Sequence, residues 1–156
     1  MNVDFINPFL DAAKNVLETM AQVSVKPKTP YIKKQPLSYG EVTGIIGVAS
    51  KTIKGVMVLS FSDSCILRIV ANMLIEPLKE KIDDEIIDAV GELTNMICGG
   101  AKASLSKLDH HFELTIPTMV VGTGVEIKHY TKAPIIVIPF ETEFGPFVVE
   151  ANLEKK

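Results

Sequence analysis

The sequence has 156 residues, a size that suits one compact domain. Hydrophobic residues make up 47% and charged residues 22%, which provides for a buried core and excludes a disordered chain. The net charge is −3 and no run of like charge is long enough to suggest nucleic acid or an anionic membrane as a partner.

Phe5, Phe9, Ala12, Ala13, Val16, Leu17 and Met20 recur at helical spacing, predicting a helix within 5–23. Asn7 before Pro8 reads as its start, because proline in the first turn gives up no needed hydrogen bond. Asp4 and Asp11 interrupt the apolar residues there, so the segment does not read as a secretory signal. Nowhere do apolar residues approach the roughly 20 in a row that span a bilayer. A cytoplasmic protein is the expectation. Residues 23–31 are β-branched but broken by Pro27 and Pro30, which suits an edge strand or a loop. Residues 41–49 and 53–61 read as a β-hairpin, with Lys51 and Thr52 near its turn. Ser62 opens a helix to about Ile75, stopped by Pro77, and Asp83 or Asp84 opens a longer one that can run to Leu108. Strands are expected at 112–116, 119–121 and 125–130, with Gly122-Thr123-Gly124 as a turn or bulge between them. A last hairpin pairs 134–140 with 146–153. Two or three helices among hairpin-linked strands predict an α+β domain with a largely antiparallel sheet.

The chain also aligns with itself. Phe5-Ile6 fall on Ile86-Ile87, Phe9 on Val90, Asp11 on Glu92 and Val16 on Ile97. In the hairpins, Ile45-Ile46 fall on Ile135-Ile136, Thr52 on Thr142, Gly55 on Gly145 and Val58 on Val148. This predicts two related helix-plus-hairpin units, about 5–60 and 86–150, sharing one sheet within a single domain of 1–156. Short amphipathic patterns also match by chance, and that is the alternative.

At about 100° per residue, Ile86, Val90, Leu93 and Ile97 share one narrow arc of the long helix, its buried stripe. Asp88, Glu92, Asn95, Gly99 and Lys102 fall on the opposite side. By periodicity alone such a face is merely solvated. Two features argue for more. Gly99 and Gly100 lie inside the helix, where each glycine costs about 1 kcal/mol relative to alanine. Either something packs closely beneath Gly100, or Gly99 keeps the surface beside Asn95 low enough for another backbone to approach. Glu92 and Asn95 also make chemical sense together: a carboxylate can grip a partner's lysine, and an amide can hold a water for attack. In phosphoryl transfer, positioning and charge stabilisation supply most of the catalysis. Met96, flanking this face, fits either core filling or a docking rim.

The run Asp88-Ala89-Val90-Gly91-Glu92-Leu93-Thr94-Asn95, continued by Gly99-Gly100-Ala101-Lys102, resembles the signature of the bacterial chemotaxis phosphatases CheC, CheX and FliY. That signature is Asp or Ser, three residues, Glu, two residues, Asn. Asn7-Pro8-Phe9 and Asn15 to Met20 resemble the first helix of the CheX branch, and the resemblance extends over essentially the whole chain. It implies hydrolysis of the aspartyl phosphate on a CheY-type response regulator. Glu92 would bind the regulator's lysine and Asn95 would align the water, with Asp88, Met96, Gly99 and Lys102 in the docking surface. The protein would need no cofactor of its own, since the Mg2+ would belong to the regulator. Asp11 and Lys14 occupy the first-helix places, so a second copy of the motif is absent, as in CheX. A homodimer is implied as well. The alternative is a non-catalytic module of the same fold that docks a receiver or a flagellar-switch component.

Other signals lead nowhere. His110, His111 and His129 with Cys98 lack metal-site spacing, and there is no G-x-S-x-G elbow. Cys65 and Cys98 fit no pair motif and read as free buried thiols.

Overall fold

In a computed structural model, residues 3–129 and 131–156 are described. The elements run α1 (Val3–Met20), β1 (Lys26–Pro27), β2 (Tyr31–Ile32), β3 (Val42–Ala49), β4 (Ile53–Phe61), α2 (Asp63–Leu74), α3 (Asp84–Lys107), β5 (Glu113–Leu114), β6 (Thr118–Val121), β7 (Ile136–Thr142) and β8 (Gly145–Lys155). The two hairpins, β3–β4 and β7–β8, stand side by side in one antiparallel sheet of order β1-β7-β8-β4-β3-β5, with β2 also on β7 and β6 also on β3.

Each of the two expected halves contributes one hairpin to the sheet. At its centre β4 pairs with β8, and Leu59 faces Val149. In the alignment of Gly55 with Gly145 and Val58 with Val148 those two residues are counterparts, so the halves are arranged about this pair. The alignment fails on the other strands. Val58 pairs with Ile45, but Val148 pairs with Pro139 rather than Ile135. The first hairpin's loop, residues 50–52, is longer than the second's, residues 143–144, so no single offset carries through both strands.

The short strands are exchanged between the halves. β1 and β2 precede the first hairpin yet pair with β7, and β5 and β6 precede the second yet pair with β3. Prolines suit these outer strands, where no ladder donor is missed. Each connection must then cross the sheet to reach its own hairpin. Segments 33–41 and 122–129 do so over one face and meet at an isolated bridge between Leu37 and Glu126. The expected strand at 125–130 is therefore a crossing segment rather than a ladder strand; its last residue, Tyr130, lies outside the described residues. Gly122 and Gly124 have positive φ and turn the chain into this crossing, as their spacing suggested. Ser38 pins the two segments, its hydroxyl donating to the Gly122 carbonyl at 3.0 Å and accepting from the Val125 N–H at 2.9 Å.

The opposite face carries the three helices over Met57, Leu59, Phe61, Phe140, Phe147 and Val149, all buried. Phe147 stacks between Phe61 and Phe140, with centroids 5.2 and 4.8 Å away. α1 begins at Val3, ahead of the expected start, and Pro8 lies inside it. Packing accounts for the difference: Phe5 lies edge-on to His110 and Phe112, at 4.7 and 6.1 Å. Burying that ring outweighs the one backbone bond a proline interrupts.

Candidate functional site

Asp83 starts α3 as its N-cap, its carboxylate accepting from the Ile86 N–H at 3.0 Å. Asp84 and Glu85 in the first turn and Lys107 in the last complement the helix dipole. Lys79 braces this end, 2.6 Å from Asp83 and 2.8 Å from Glu85. Lys79 first, and then the capped N–H, hold the Asp83 carboxyl below its ordinary range.

Ile86, Val90, Leu93 and Ile97 are fully buried, so the rotation of α3 turns Asp88, Glu92 and Asn95 outward, and all three are exposed. Glu92 and Asn95 are one turn apart on that face. The side-chain bonds of α3 and its cap are made by Asp83, Glu85 and Thr94, with a loose pair of Lys102 and Glu113 at 4.0 Å; Glu92 and Asn95 have no side-chain partner among the described residues. Met96 is half-buried at the margin, which suits a rim. The two glycines divide the two readings between them. A Cβ on Gly100 would stand 3.4 Å from the Cβ of Ala12 on α1, while one on Gly99 would meet nothing within 4 Å. On α1 the matching places hold Asp11 and Lys14, both exposed, so only one half carries the pair.

Sequence reasoning passed over Thr94 and Gly44. Thr94 is fully buried, its hydroxyl donating to the Val90 carbonyl at 2.8 Å. It fills a gap in β3, because a Cβ on Gly44 would come 2.2 Å from the Thr94 hydroxyl oxygen. The available sign was a pair of glycines, Gly44 and Gly47, inside a strand otherwise rich in β-branched residues.

This site is a convex helix face. The larger hollows lie elsewhere: one of about 800 Å³ beside Ser50, His110 and Lys156, and one of about 610 Å³ lined by Ile45, Val56 and Ile116. A small-molecule enzyme needs a cleft to desolvate its substrate. A protein substrate can bring the concave half with it. Thiolate chemistry is excluded, because burial pushes the Cys98 thiol up to about 12 and the Cys65 thiol up to about 11. Among the described residues no three His, Cys, Asp or Glu side chains come together in a way that could hold a metal ion.

Residues 42–141 match the family described as chemotaxis phosphatase CheX. The CheY-P phosphatase CheX of Thermotoga maritima is 32% identical, over 81% of this chain and 85% of that protein. The chain belongs to the CheX family. Its fold matches a CheC-like superfamily protein from Shewanella sp. PV-4 with TM-score 0.91 at 44% identity, over 99% of both chains. It matches the chemotaxis protein CheX of Vibrio vulnificus with TM-score 0.88 at 39% identity, over 96% of this chain and 99% of that one. The helices and the large antiparallel sheet are thus those of a CheX-like fold. No helix is long and apolar enough to cross a membrane among the described residues.

Proposed function

We propose that this protein hydrolyses the aspartyl phosphate of a CheY-type response regulator, with Glu92 and Asn95 as its catalytic pair. The observation that carries the reading is that both side chains stand exposed and unpartnered on one face of an anchored helix, in a chain of the CheX family. The relative from Thermotoga maritima is named for activity on CheY-P.

In this reading the Glu92 carboxylate pairs with a lysine of the regulator, and Gly99 lets the regulator's backbone come close. Asp88, Met96 and Lys102 form the surrounding contact. The Asn95 amide holds a water in line with the phosphorus. Water oxygen bonds to phosphorus as the phosphorus–oxygen bond to the aspartyl group breaks. The aspartate leaves as a carboxylate, and the water's proton departs with inorganic phosphate or to solvent. Neither residue need act as a strong base, because an acyl phosphate has a good leaving group and positioning supplies the catalysis. The Mg2+ that screens the phosphoryl oxygens comes with the regulator, and none is assigned to this chain. The proposal places the protein in the cytoplasm with such regulators. It also includes the homodimer the family resemblance implies, which light scattering at micromolar concentration checks; a monomer counts against it.

The deciding experiment measures phosphate release from a phosphorylated CheY-type receiver. Asn95→Ala is expected to lose at least about 100-fold in turnover, as when a positioning group goes. It should keep its affinity for the receiver and stay within about 0.5 kcal/mol of the parent in stability, being exposed. Glu92→Ala should lose affinity as well, and Glu92→Lys more. Parental hydrolysis by Asn95→Ala sinks the Glu92–Asn95 mechanism, whereas no phosphate release by the parent itself leaves a docking module in its place.

A further inference from the structure

Thr94 sits between the two residues of the proposed pair, Glu92 and Asn95, and faces the other way. By itself it is ordinary: a buried helical threonine commonly satisfies its hydroxyl on the carbonyl one turn back. The surroundings are not ordinary. Beneath it β3 has Gly44, where a Cβ would stand 2.2 Å from the Thr94 hydroxyl oxygen and 3.2 Å from its Cβ. Gly44 pairs across the ladder with Met119 of β6, and paired residues share a face of the sheet. Met119 in turn reaches α3 at Gly91, its sulfur 3.6 Å from where a Cβ there would lie. Thr94 enters a gap in the strand, and Met119 reaches toward a residue of the helix that has no side chain. Gly91 and Thr94 are three residues apart on one side of α3, so two reciprocal contacts hold the same turn, the turn that contains Glu92 and precedes Asn95.

Resting on the phosphatase reading, we propose that Gly44 and Thr94, with Met119 against Gly91, form a rotational lock on α3 that sets the bearing of Asn95, making Thr94 and Gly44 positioning residues. The apolar stripe alone leaves the rotation soft, since branched aliphatic side chains repack with little loss. A knob seated on a strand glycine does not slide. A small rotation moves the two pair members unequally in effect. The Glu92 chain has three rotatable bonds to recover its lysine, whereas the short Asn95 amide must place a water in line. The lock therefore acts on turnover more than on binding.

The test is steady-state dephosphorylation of a CheY-type receiver, phosphorylated from a small acyl-phosphate donor with Mg2+, alongside circular dichroism and urea unfolding of each variant. Thr94→Ala frees the turn and is expected to lower kcat about tenfold or more, with KM within about threefold of the parent. Thr94→Val keeps both branches in the gap and is expected to keep the parental kcat. Gly44→Ala drives the helix off the strand and lowers kcat, and adding Thr94→Ala to it restores part of that loss. Should Gly44→Ala fail to fold, the two Thr94 variants decide. A folded Thr94→Ala at parental kcat overturns the lock, and so does a loss no greater than its unfolded fraction, or a Thr94→Val as impaired as Thr94→Ala. Asn95→Ala in the same assay separates the two ideas. If it is inactive while Thr94→Ala keeps the parental kcat, only the lock fails; if it hydrolyses as the parent does, the Glu92–Asn95 assignment fails first, and if the parent itself releases no phosphate, the phosphatase reading does.

Discussion

A Cβ added at Gly99 meets no atom within 4 Å, whereas one at Gly100 stands 3.4 Å from Ala12. Neighbouring glycines in one helix thus differ in what surrounds them: a Cβ at Gly100 would reach ordinary contact with α1, and one at Gly99 would meet nothing inside the molecule. Because nothing is in the way, Gly99→Ala should stabilise the protein by up to about 1 kcal/mol, the helix-propensity difference, seen as a higher urea midpoint. Its persistence as glycine is then explained from outside. Gly99→Arg should fold equally well but place a long cation beside Asn95 and slow dephosphorylation at subsaturating receiver. If Gly99→Arg turns over CheY-type receivers as the parent does, Gly99 is no part of the docking surface. Met96 and Lys102 flank the same face, but their substitution should weaken docking less, because flexible side chains can move aside.

The ends of α2 and α3 follow local chemistry, except at the last turn of α2. Ile75 caps that helix in the left-handed region, at φ 54° and ψ 52°, with its N–H on the Ala71 carbonyl. A left-handed cap favours glycine, and a β-branched residue there carries strain of about 1–2 kcal/mol. Ile75 recovers none of it by burial, being 92% exposed. Ile75→Gly should therefore raise the thermal midpoint. The net gain is about 1 kcal/mol or less, since glycine also loosens the unfolded chain. A lower midpoint would mean that the isoleucine makes a contact absent from this chain alone. The α2–α3 connection is otherwise well tied: Lys79 joins Asp83 and Glu85, and Asp83 caps α3. That keeps the first turn of the motif helix from fraying.

At the scale of the whole molecule, the exchange of edge strands makes each half depend on the other, and the two crossing segments must be held against the sheet. Lys33 does this for the first, its ammonium 2.8 Å from Glu150, which is almost wholly buried. Burial pushes the Glu150 carboxyl above its ordinary value, and Lys33 opposes that shift. Lys33→Met leaves the buried carboxylate unpaired and should cost roughly 3 kcal/mol at neutral pH by urea unfolding. The sign follows from the raised value. A carboxyl that holds its proton more tightly when folded destabilises the fold as pH rises through that value, so the cost should shrink in acid as Glu150 takes up a proton. Lys33→Met with Glu150→Leu should return to within about 1 kcal/mol of the parent. A loss that does not vary with pH would assign the effect to the packing of the lysine stem instead.

What the sequence determined by itself was whatever depends on residues a few places apart. The stripe of Ile86, Val90, Leu93 and Ile97 set which way α3 faces, and with it the exposure of Glu92 and Asn95. Caps and alternation placed both central hairpins to within a few residues, as at Val42–Ala49 with Ile53–Phe61. The tertiary structure decided everything that rests on a distant partner. Strands of two residues, such as β1 and β5, carry no period to read, and which edge they join depends on the other half of the chain. Residues 125–129 run across the sheet with one isolated bridge, so Val125 and Ile127 imitate a strand without joining a ladder. Pro8 stays helical because Phe5 finds rings about a hundred residues away. The seat of Thr94 on Gly44 joins a helix and a strand that no local pattern connects, because steric fit between separated residues leaves no periodic trace in either.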